Sequence, residues 1–532
     1  MAFIKNIVQK KYLILALVFH LLAAWFSIGR YHADEQFQII EFTGYKTGVN
    51  SAAEMPWEFH EKMRPAIQVF FAYTVIKVFS FISNPFTQVF LLRLFASLLG
   101  LLALYKLLAA FKYHFSERQY QVLCMLSCVY CFIPYFHARF SSENISSSLF
   151  ILGFTSLLHS RNNKYLLAGL LFGLAYTVRM QSLFMIAGLG LWMLFINKNK
   201  FKDLFVLTTG FAMAVGIGLL CDRWFYGQWV NSTWNYVFQN IVLHKSAEYG
   251  TQPFWFYFER TLLDTIPPFS LIIIASFFIL FIYKPKHILT WTFVPFLLVH
   301  LFTAHKELRF LFPFINFIPL VFVFALKEVQ ENKVLSSLKN SIIKYKGFYT
   351  RPLFIAVNSI LLLYLCFKPA DDYTPVLKFL YNNYGQYTTT MYYTSYNPYD
   401  NLAALNFYKS KNITPVKVEP ALLDIQLQYK EKMLMVSEND SSVEVLIKKG
   451  YVLHCVYSSI PDFMYYFNFN GWIERSSPVK IYELQPLTRL CQQKNSPDYC
   501  FSKTTLRLAS PPSRSFPTSL SISKNKHIKF IG

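Results

Sequence analysis

Charge is what this sequence has least of. Asp, Glu, Lys and Arg make up only 15% of its 532 residues, against 54% hydrophobic and 19% aromatic ones. With a mean hydropathy of +0.31, that is too apolar for an ordinary soluble enzyme of this size. Three phosphate and metal signatures are also missing. There is no Gly-rich loop followed by Lys and Ser/Thr, no G-x-G-x-x-G, and no D-x-D that would clamp a metal on a nucleotide sugar. Their absence argues against a soluble nucleotide as donor. No Cys/His spacing resembles a zinc site, so no structural metal and no cofactor is expected. Acid is scarcer than base, 29 residues against 51, for a net charge of +22. In a soluble protein that excess would suggest nucleic acid. Here the basic residues sit in short loops between apolar runs, which is the positive-inside pattern of a membrane protein and not a nucleic-acid patch.

What is present is a series of apolar runs of roughly 17 to 20 residues, each enough to cross about 30 Å of hydrocarbon as helix. The spans are expected at 12–29, 88–110, 120–137, 145–158, 165–178, 182–196, 204–221, 266–283, 287–304, 310–326 and 352–367, eleven in all. The first lacks a small-x-small cleavage site and is read as a retained span. The run 65–83 is long enough to cross but carries Gln68 and Lys77. If it lies along the membrane without crossing, Lys112 and Arg118, Arg161 and Lys164, "NKNKFK", "YKPKH" and the 327–351 loop all fall on the side of Lys5, Lys10 and Lys11. That side is then the cytoplasm, and 65–83 is a juxtamembrane helix.

The same choice collects the unusual polar segments on the opposite face: "HADEQFQ", "MPWEFHEKMRP", "FHARFSSEN", Arg179, the 222–260 loop and "HKELRF". Residues 1–369 are read as the membrane domain. Residues 370–485, with strand-like "TTTMYYTSY" and "SPVKIYEL" and helical "DNLAALNFYKS", are read as a small non-cytoplasmic α/β domain. The Ser/Pro/Lys-rich 486–532 is read as a disordered tail. Cys124, Cys128, Cys131, Cys221 and Cys366 lie in or beside apolar segments and behave as small hydrophobes, leaving Cys455, Cys491 and Cys500 for any disulfide.

Asp34 and Glu35, adjacent just past the first span, are candidate general bases, because burial and a neighbouring like charge raise a carboxyl pKa. The bland reading is a hydrated helix end. Arg64, Arg139, Arg179 and Arg309, with His305 and Lys306, put several cations on the same face. Arginine forks suit phosphate oxygens, and a cationic site beside lipid suits a lipid-linked phosphate; each could instead simply pair with a nearby acid. The 222–260 loop interleaves Trp and Tyr with Asn231, Asn235, Asn240 and Gln239, which suits either an interface belt or a carbohydrate.

"HADEQFQ" resembles the H-x-D-E-x-x-Q signature, and "HKELRF" the H-K-E-x-R-F signature, of the dolichyl-phosphate-mannose-dependent mannosyltransferases, glycosyltransferase family 22. "PWEFHEKMRP", "DRWFYGQWVNSTWNYVFQN" and "YGTQPFWFYF" narrow the resemblance to the branch that builds glycosylphosphatidylinositol (GPI) anchors, although Ala33 stands where the family usually has Pro. The resemblance implies a GT-C fold: an all-α polytopic body with juxtamembrane helices. It implies an inverting transfer of mannose from a polyprenyl (dolichyl) phosphate mannose donor, through the bilayer, to a glycolipid acceptor by an α-1,2 linkage, on the lumenal or periplasmic face. Asp34 or Glu35 would be the base. His305, Lys306, Arg309, Arg64, Arg139 and Arg179 would face the donor phosphate. Trp57, Glu58, Asp222, Trp229, Asn235, Asn240, Tyr249 and Trp255 would face the acceptor or sugar. Two other readings stay open: a bacterial relative acting on another lipid-linked glycan or a protein, and a lipid or sugar transporter. The latter is disfavoured because the charged motifs sit at span ends, away from a midplane site.

Overall fold

The computed structural model describes residues 2–158, 163–265, 269–332, 352–401, 403–419, 432–438, 440–449, 451–476 and 478–486. The expected tail beyond 486, Cys491, Cys500 and most of the basic 327–351 loop lie outside them. Two compact units emerge: 1–386 with 398–411, and 387–397 with 412–532. The division expected at 370 therefore moves. Helix Tyr373–Tyr384 and the 398–411 segment both belong to the first unit.

The first unit is helical. Among the described residues, four helices are long and apolar enough to cross a membrane: Phe3–Phe26, Pro85–Phe111, Phe201–Tyr226 and Leu308–Glu331. The pair Phe269–Tyr283 and Ile288–Phe302, bent by 116° at its break, makes a fifth if it counts as one span. Lys164–Val178, Ser182–Ile196 and Ile355–Phe367 are shorter apolar helices. By length and composition, then, four or five of the eleven expected spans qualify. Residues 67–78, in the run read as juxtamembrane, form a helix of 12 residues. At 1.5 Å per residue that is about 18 Å, too short to cross.

The run 120–137 corrects the sequence reading. It is two helices, Glu117–Val129 and Phe132–His137, with Tyr130 extended between them (φ −62°, ψ 131°). Pro134 explains the break: it has no N–H for the carbonyl of Tyr130, and its ring clashes with that carbonyl in a continuous helix. The side chain of Asn358, from helix Pro352–Phe367, splints the gap by accepting from the Cys131 amide (3.0 Å) and donating to the Val129 carbonyl (2.8 Å).

Elsewhere the helices pack closely. A Cβ at Gly169 would sit 2.0 Å from the Leu207 carbonyl oxygen, so the Lys164–Val178 and Phe201–Tyr226 helices meet backbone to backbone there. The core is aromatic, with Phe150, Phe154, Phe172, Phe293, Phe296 and Phe317 fully buried. Phe154 meets Phe317 edge to face at 5.5 Å and 90°.

Residues 400–410 are expected to be helical, and those of them that are described, 400–401 and 403–410, are not. They form a two-residue ladder (Asp400–Asn401 with Ala403–Ala404) and a turn. Tertiary contacts override propensity here: the Phe407 amide donates to Glu41 (3.1 Å), Asn406 donates to Glu54 (2.9 Å), and Tyr408 stacks on Phe86 at 4.6 Å.

In the second unit, strands Ile413–Lys417, Thr389–Tyr393, Lys432–Ser437, Lys480–Pro486 and Tyr451–Ser458 lie side by side in that order. The first three run parallel to one another, and the last two pair antiparallel. Helix Asp440–Lys448 packs its Val443 and Leu446 into the sheet's apolar cluster. Cys455 is exposed, and its thiol donates to the Tyr457 carbonyl at 3.4 Å.

Candidate active site

After the first long helix ends at Phe26, the chain turns through Gly29 (φ +96°) and caps a short new helix with His32. That helix, Ala33–Glu35, runs into a π-turn, Gln36–Ile40, and then helix Glu41–Thr47. Asp34 and Glu35 are thus fixed in the first turn of the element that follows the first long helix. Four other chain breaks converge on the same place. Arg139 follows helix Phe132–His137, Glu143 opens Ser142–Leu158, Arg179 caps Lys164–Val178 with extended backbone, and residues 305–309 lead into the 3-10 helix Leu308–Phe317.

Arg309, only 7% exposed, is the hub. Its Nη1 donates to Asp34 Oδ2 at 2.7 Å and to Glu143 Oε1 at 3.1 Å, while Nε and Nη2 grip Glu307 at 2.7 and 3.0 Å. Arg179 joins through Glu143 at 2.9 Å. His32 completes the circle: Nδ1 lies 3.3 Å from Asp34 Oδ1 and Nε2 3.2 Å from Glu307 Oε2. The Asp34 amide also lies 3.3 Å from Nδ1, a contact that would require an unprotonated nitrogen. With a carboxylate at each ring nitrogen, we read the ring as imidazolium. Burial works against that charge, but the hydrogen bonds to Asp34 and Glu307 outweigh it and lift the ring to about 9.

The two adjacent carboxyls differ. Burial alone would raise Asp34, yet the Arg309 guanidinium, helped by His32 and Arg64, holds it well below the usual carboxylate range. Glu35 makes no salt bridge with any described residue and accepts only from the Tyr31 amide (3.1 Å). Burial pushes it up to about 7 against the pull of Arg139. Neither Arg64 nor Arg139 forms an ion pair with Glu35. Arg64 pairs with Glu58 and lies over the Tyr236 ring. Arg139 donates to the carbonyls of Ser27 and Gly29 and stacks on Tyr135. A single preceding break in the helix explains this, because the carbonyls it frees are the acceptors that Arg139 reaches.

An open cleft of about 670 Å³ lies against this network, lined by Tyr31, His32, Gln252, Phe256, Glu259, Arg260, Asp264, Lys306, Glu307, Leu308 and Arg309. A small pocket of about 10 Å³, about one water in size, shares Tyr31, His32 and Arg309 with the cleft and also touches Glu35, Arg139 and Glu143. Of the six expected phosphate contacts, Lys306 and Arg309 line the cleft. His305 stands one step back, with Nε2 3.1 Å from Glu307 Oε1. Lys306 donates to the carbonyls of Gln252 (2.8 Å) and Thr303. Burial lowers its pKa, and no described carboxylate pairs with it.

The eight expected acceptor residues do not line the cleft. Asp222 is buried and accepts from the Ala66 amide and from Ser232. Asn235 donates to the carbonyls of Glu61 and Lys62, Asn240 to that of Tyr236, and Trp57 to the Tyr249 hydroxyl at 2.8 Å. Trp229, Tyr249 and Trp255 are exposed, and Glu58 is taken by Arg64. Sequence reading assigned no site role to His32, Glu143, Glu307, Gln252, Glu259, Arg260 or Asp264. The i,i+4 pair of Arg260 and Asp264 (2.7 Å) in the short amphipathic stretch "FYFERTLLD" was the available signal for the last three.

The profile of the Alg9-like mannosyltransferase family matches residues 11–410. Among curated proteins, the chain is 28% identical over 193 residues to "Probable Dol-P-Man:Man(7)GlcNAc(2)-PP-Dol alpha-1,6-mannosyltransferase" of Schizosaccharomyces pombe, covering 35% of this chain and 34% of that one. It is 28% identical over 330 residues to the mannosyltransferase APTG1 of Arabidopsis thaliana (58% and 57%). With human GPI alpha-1,2-mannosyltransferase 3 it shares 25% over 298 residues (53% and 51%). The aligned stretches thus span from about a third to just under three fifths of these relatives' lengths, 34% to 57%. Among solved structures it resembles ArnT from Cupriavidus metallidurans bound to undecaprenyl phosphate, with a TM-score of 0.48 at 10% identity, covering 89% of this chain and 97% of that one. That likeness is too loose to carry an argument about chemistry.

Proposed function

The chain belongs to the Alg9-like mannosyltransferase family, and from that membership we propose that it is an inverting GT-C-type mannosyltransferase. Its donor is a polyprenyl (dolichyl) phosphate mannose and its acceptor a glycolipid, a GPI-type glycan receiving an α-1,2-linked mannose. The site faces the endoplasmic reticulum lumen in a eukaryote, or the periplasm in a bacterium. The observation that carries this reading is the 2.7 Å ion pair between Asp34 and Arg309. It joins the two polar signatures, 275 residues apart, beside a cleft where Arg260, Lys306 and Arg309 stand among Glu259, Asp264 and Glu307.

Asp34 is the base. Ionised and 25% exposed, it can take the proton of an acceptor hydroxyl as the acceptor oxygen bonds to C1 of mannose. The C1–O bond to phosphate breaks, and its electron pair stays on the phosphate, where Arg309 and Lys306 balance the charge. A base held so far down is a weak one. A donor phosphate that draws on Arg309 loosens its hold on Asp34 and strengthens the base when the donor is in place. The GPI assignment draws support from the sequence signatures and from the relatives named for that reaction. Mass analysis of the lipid glycans accumulating in a deletion strain tests it. The expected result is a GPI precursor one mannose short; accumulation of some other lipid-linked glycan would replace the acceptor.

A further inference from the structure

The mechanism above leaves His32 unused, although His32 lines the open cleft and neither Asp34 nor Glu35 does. Its ring is 32% exposed and sits between two carboxylates on different elements, Asp34 beside it in sequence and Glu307 across the site. Glu307 does not depend on His32. Arg309 grips it through two nitrogens at 2.7 and 3.0 Å, and the Nε2 atoms of His305 and His32 lie 3.1 and 3.2 Å away. If His32 turned its Nε2–H elsewhere, the two-nitrogen grip of Arg309 would still hold Glu307 in place. Asp34 meanwhile holds the ring from Nδ1. The arrangement fixes one nitrogen and leaves the other free to exchange partners at little cost.

We propose that His32, as an imidazolium, donates from Nε2 to the phosphate of the lipid donor, a third cation beside Arg309 and Lys306. This rests on the reading of the site as a polyprenyl-phosphate-sugar transferase. The proton stays on His32 throughout. The C1–O bond of the sugar phosphate breaks with its electron pair moving to the phosphate, the acceptor oxygen bonds to C1, and its proton goes to Asp34. His32 lowers the energy of the charge that builds on phosphate, a contribution that depends on the ring being charged. The charged and titratable groups that face it are Tyr31, Asp34 and Glu35 on its own segment and Lys306, Glu307 and Arg309 on the 305–309 segment. Glu143 reaches it through Arg309, and Glu259, Arg260 and Asp264 lie on the other wall of the cleft.

The test is binding of polyprenyl phosphate, without sugar, to the full-length protein in lipid vesicles between about pH 7.5 and pH 10, the range in which an imidazolium held near 9 discharges. Wild type is expected to lose affinity as His32 discharges. His32→Gln should bind about ten-fold more weakly at the low end, the size of one charge-assisted hydrogen bond, and lose that dependence. His32→Arg, whose charge at that position is fixed, should lose less affinity across the range than wild type, the remaining loss being that of Lys306, whose pKa burial lowers. Equal affinity of His32→Gln and wild type at the low end, or an unchanged pH profile in His32→Arg, overturns the proposal. The remaining outcome, a wild-type protein with no affinity for polyprenyl phosphate at any pH, overturns the transferase reading on which it rests.

Discussion

Asp34 and Glu35 are chemically similar and adjacent, yet their surroundings pull them in opposite directions. One step along the chain exchanges a direct bond from the Arg309 fork for a pocket in which Phe132, Tyr135 and Phe136 stand beside Arg139 and Glu143. The Arg309 guanidinium holds Asp34 well below the usual carboxylate range, while burial pushes Glu35 up to about 7. Asp34→Asn keeps size and hydrogen bonding but cannot take a proton, so turnover should fall by roughly 10² to 10⁴, with donor affinity much less changed. Glu35→Gln should keep most of its turnover, because it removes a charge that no described cation pairs with. Steady-state kinetics of both variants check the assignment, and an inactive Glu35→Gln beside an active Asp34→Asn would reverse it. The signatures around Asp34 and Arg309 were legible from sequence because they are contiguous strings. The role of His32 was not, since a ring between two carboxylates depends on Glu307, 275 positions away by the same fold that joins Asp34 to Arg309.

At the scale of elements, the site is made of helix ends, and those ends exist because helices are interrupted. Hydropathy reads through an interruption. Residues 120–137 are apolar enough for one span, and only Pro134 marks the gap that Asn358 bridges. Asn358→Ala leaves an amide and a carbonyl without partners, at a cost of about 1–3 kcal/mol each. The expected outcome is a clearly lower thermal unfolding midpoint in detergent, and since Arg139 hangs from the second helix, a parallel loss of turnover. An unchanged midpoint would mean that the splint is dispensable. Gly169→Ala should also destabilise, because its methyl would meet the Leu207 carbonyl where the two backbones touch; the same unfolding measurement reads it. The strands at 389–393 and 480–486 were visible as β-branched and aromatic runs. The non-helical course of 400–410 was not, because it answers to Glu41 and Glu54, hundreds of residues earlier.

For the whole molecule, the loop charges make a topological prediction that local geometry cannot. Lys198, Lys200 and Lys202 should be cytoplasmic, and Asp34 and Lys306 should lie on the other side. Lys200 is exposed, so Lys200→Cys, in a background with Cys455, Cys491 and Cys500 replaced by Ser, should resist an impermeant thiol reagent applied from the non-cytoplasmic side. Labelling from that side would reverse the orientation. The central claim is that these two signatures meet to move mannose from lipid phosphate. It is tested most directly by reconstituting the purified protein in vesicles with a mannose-deficient GPI-type glycolipid and polyprenyl phosphate carrying labelled mannose. The account predicts that label passes to the glycolipid with inversion at C1, without added metal or nucleotide, that Asp34→Asn lowers the transfer by roughly 10² to 10⁴, and that Arg309→Lys, which keeps a cation among the three carboxylates, also lowers it while remaining folded. Transfer only from a nucleotide sugar, or full transfer by either folded variant, would contradict it.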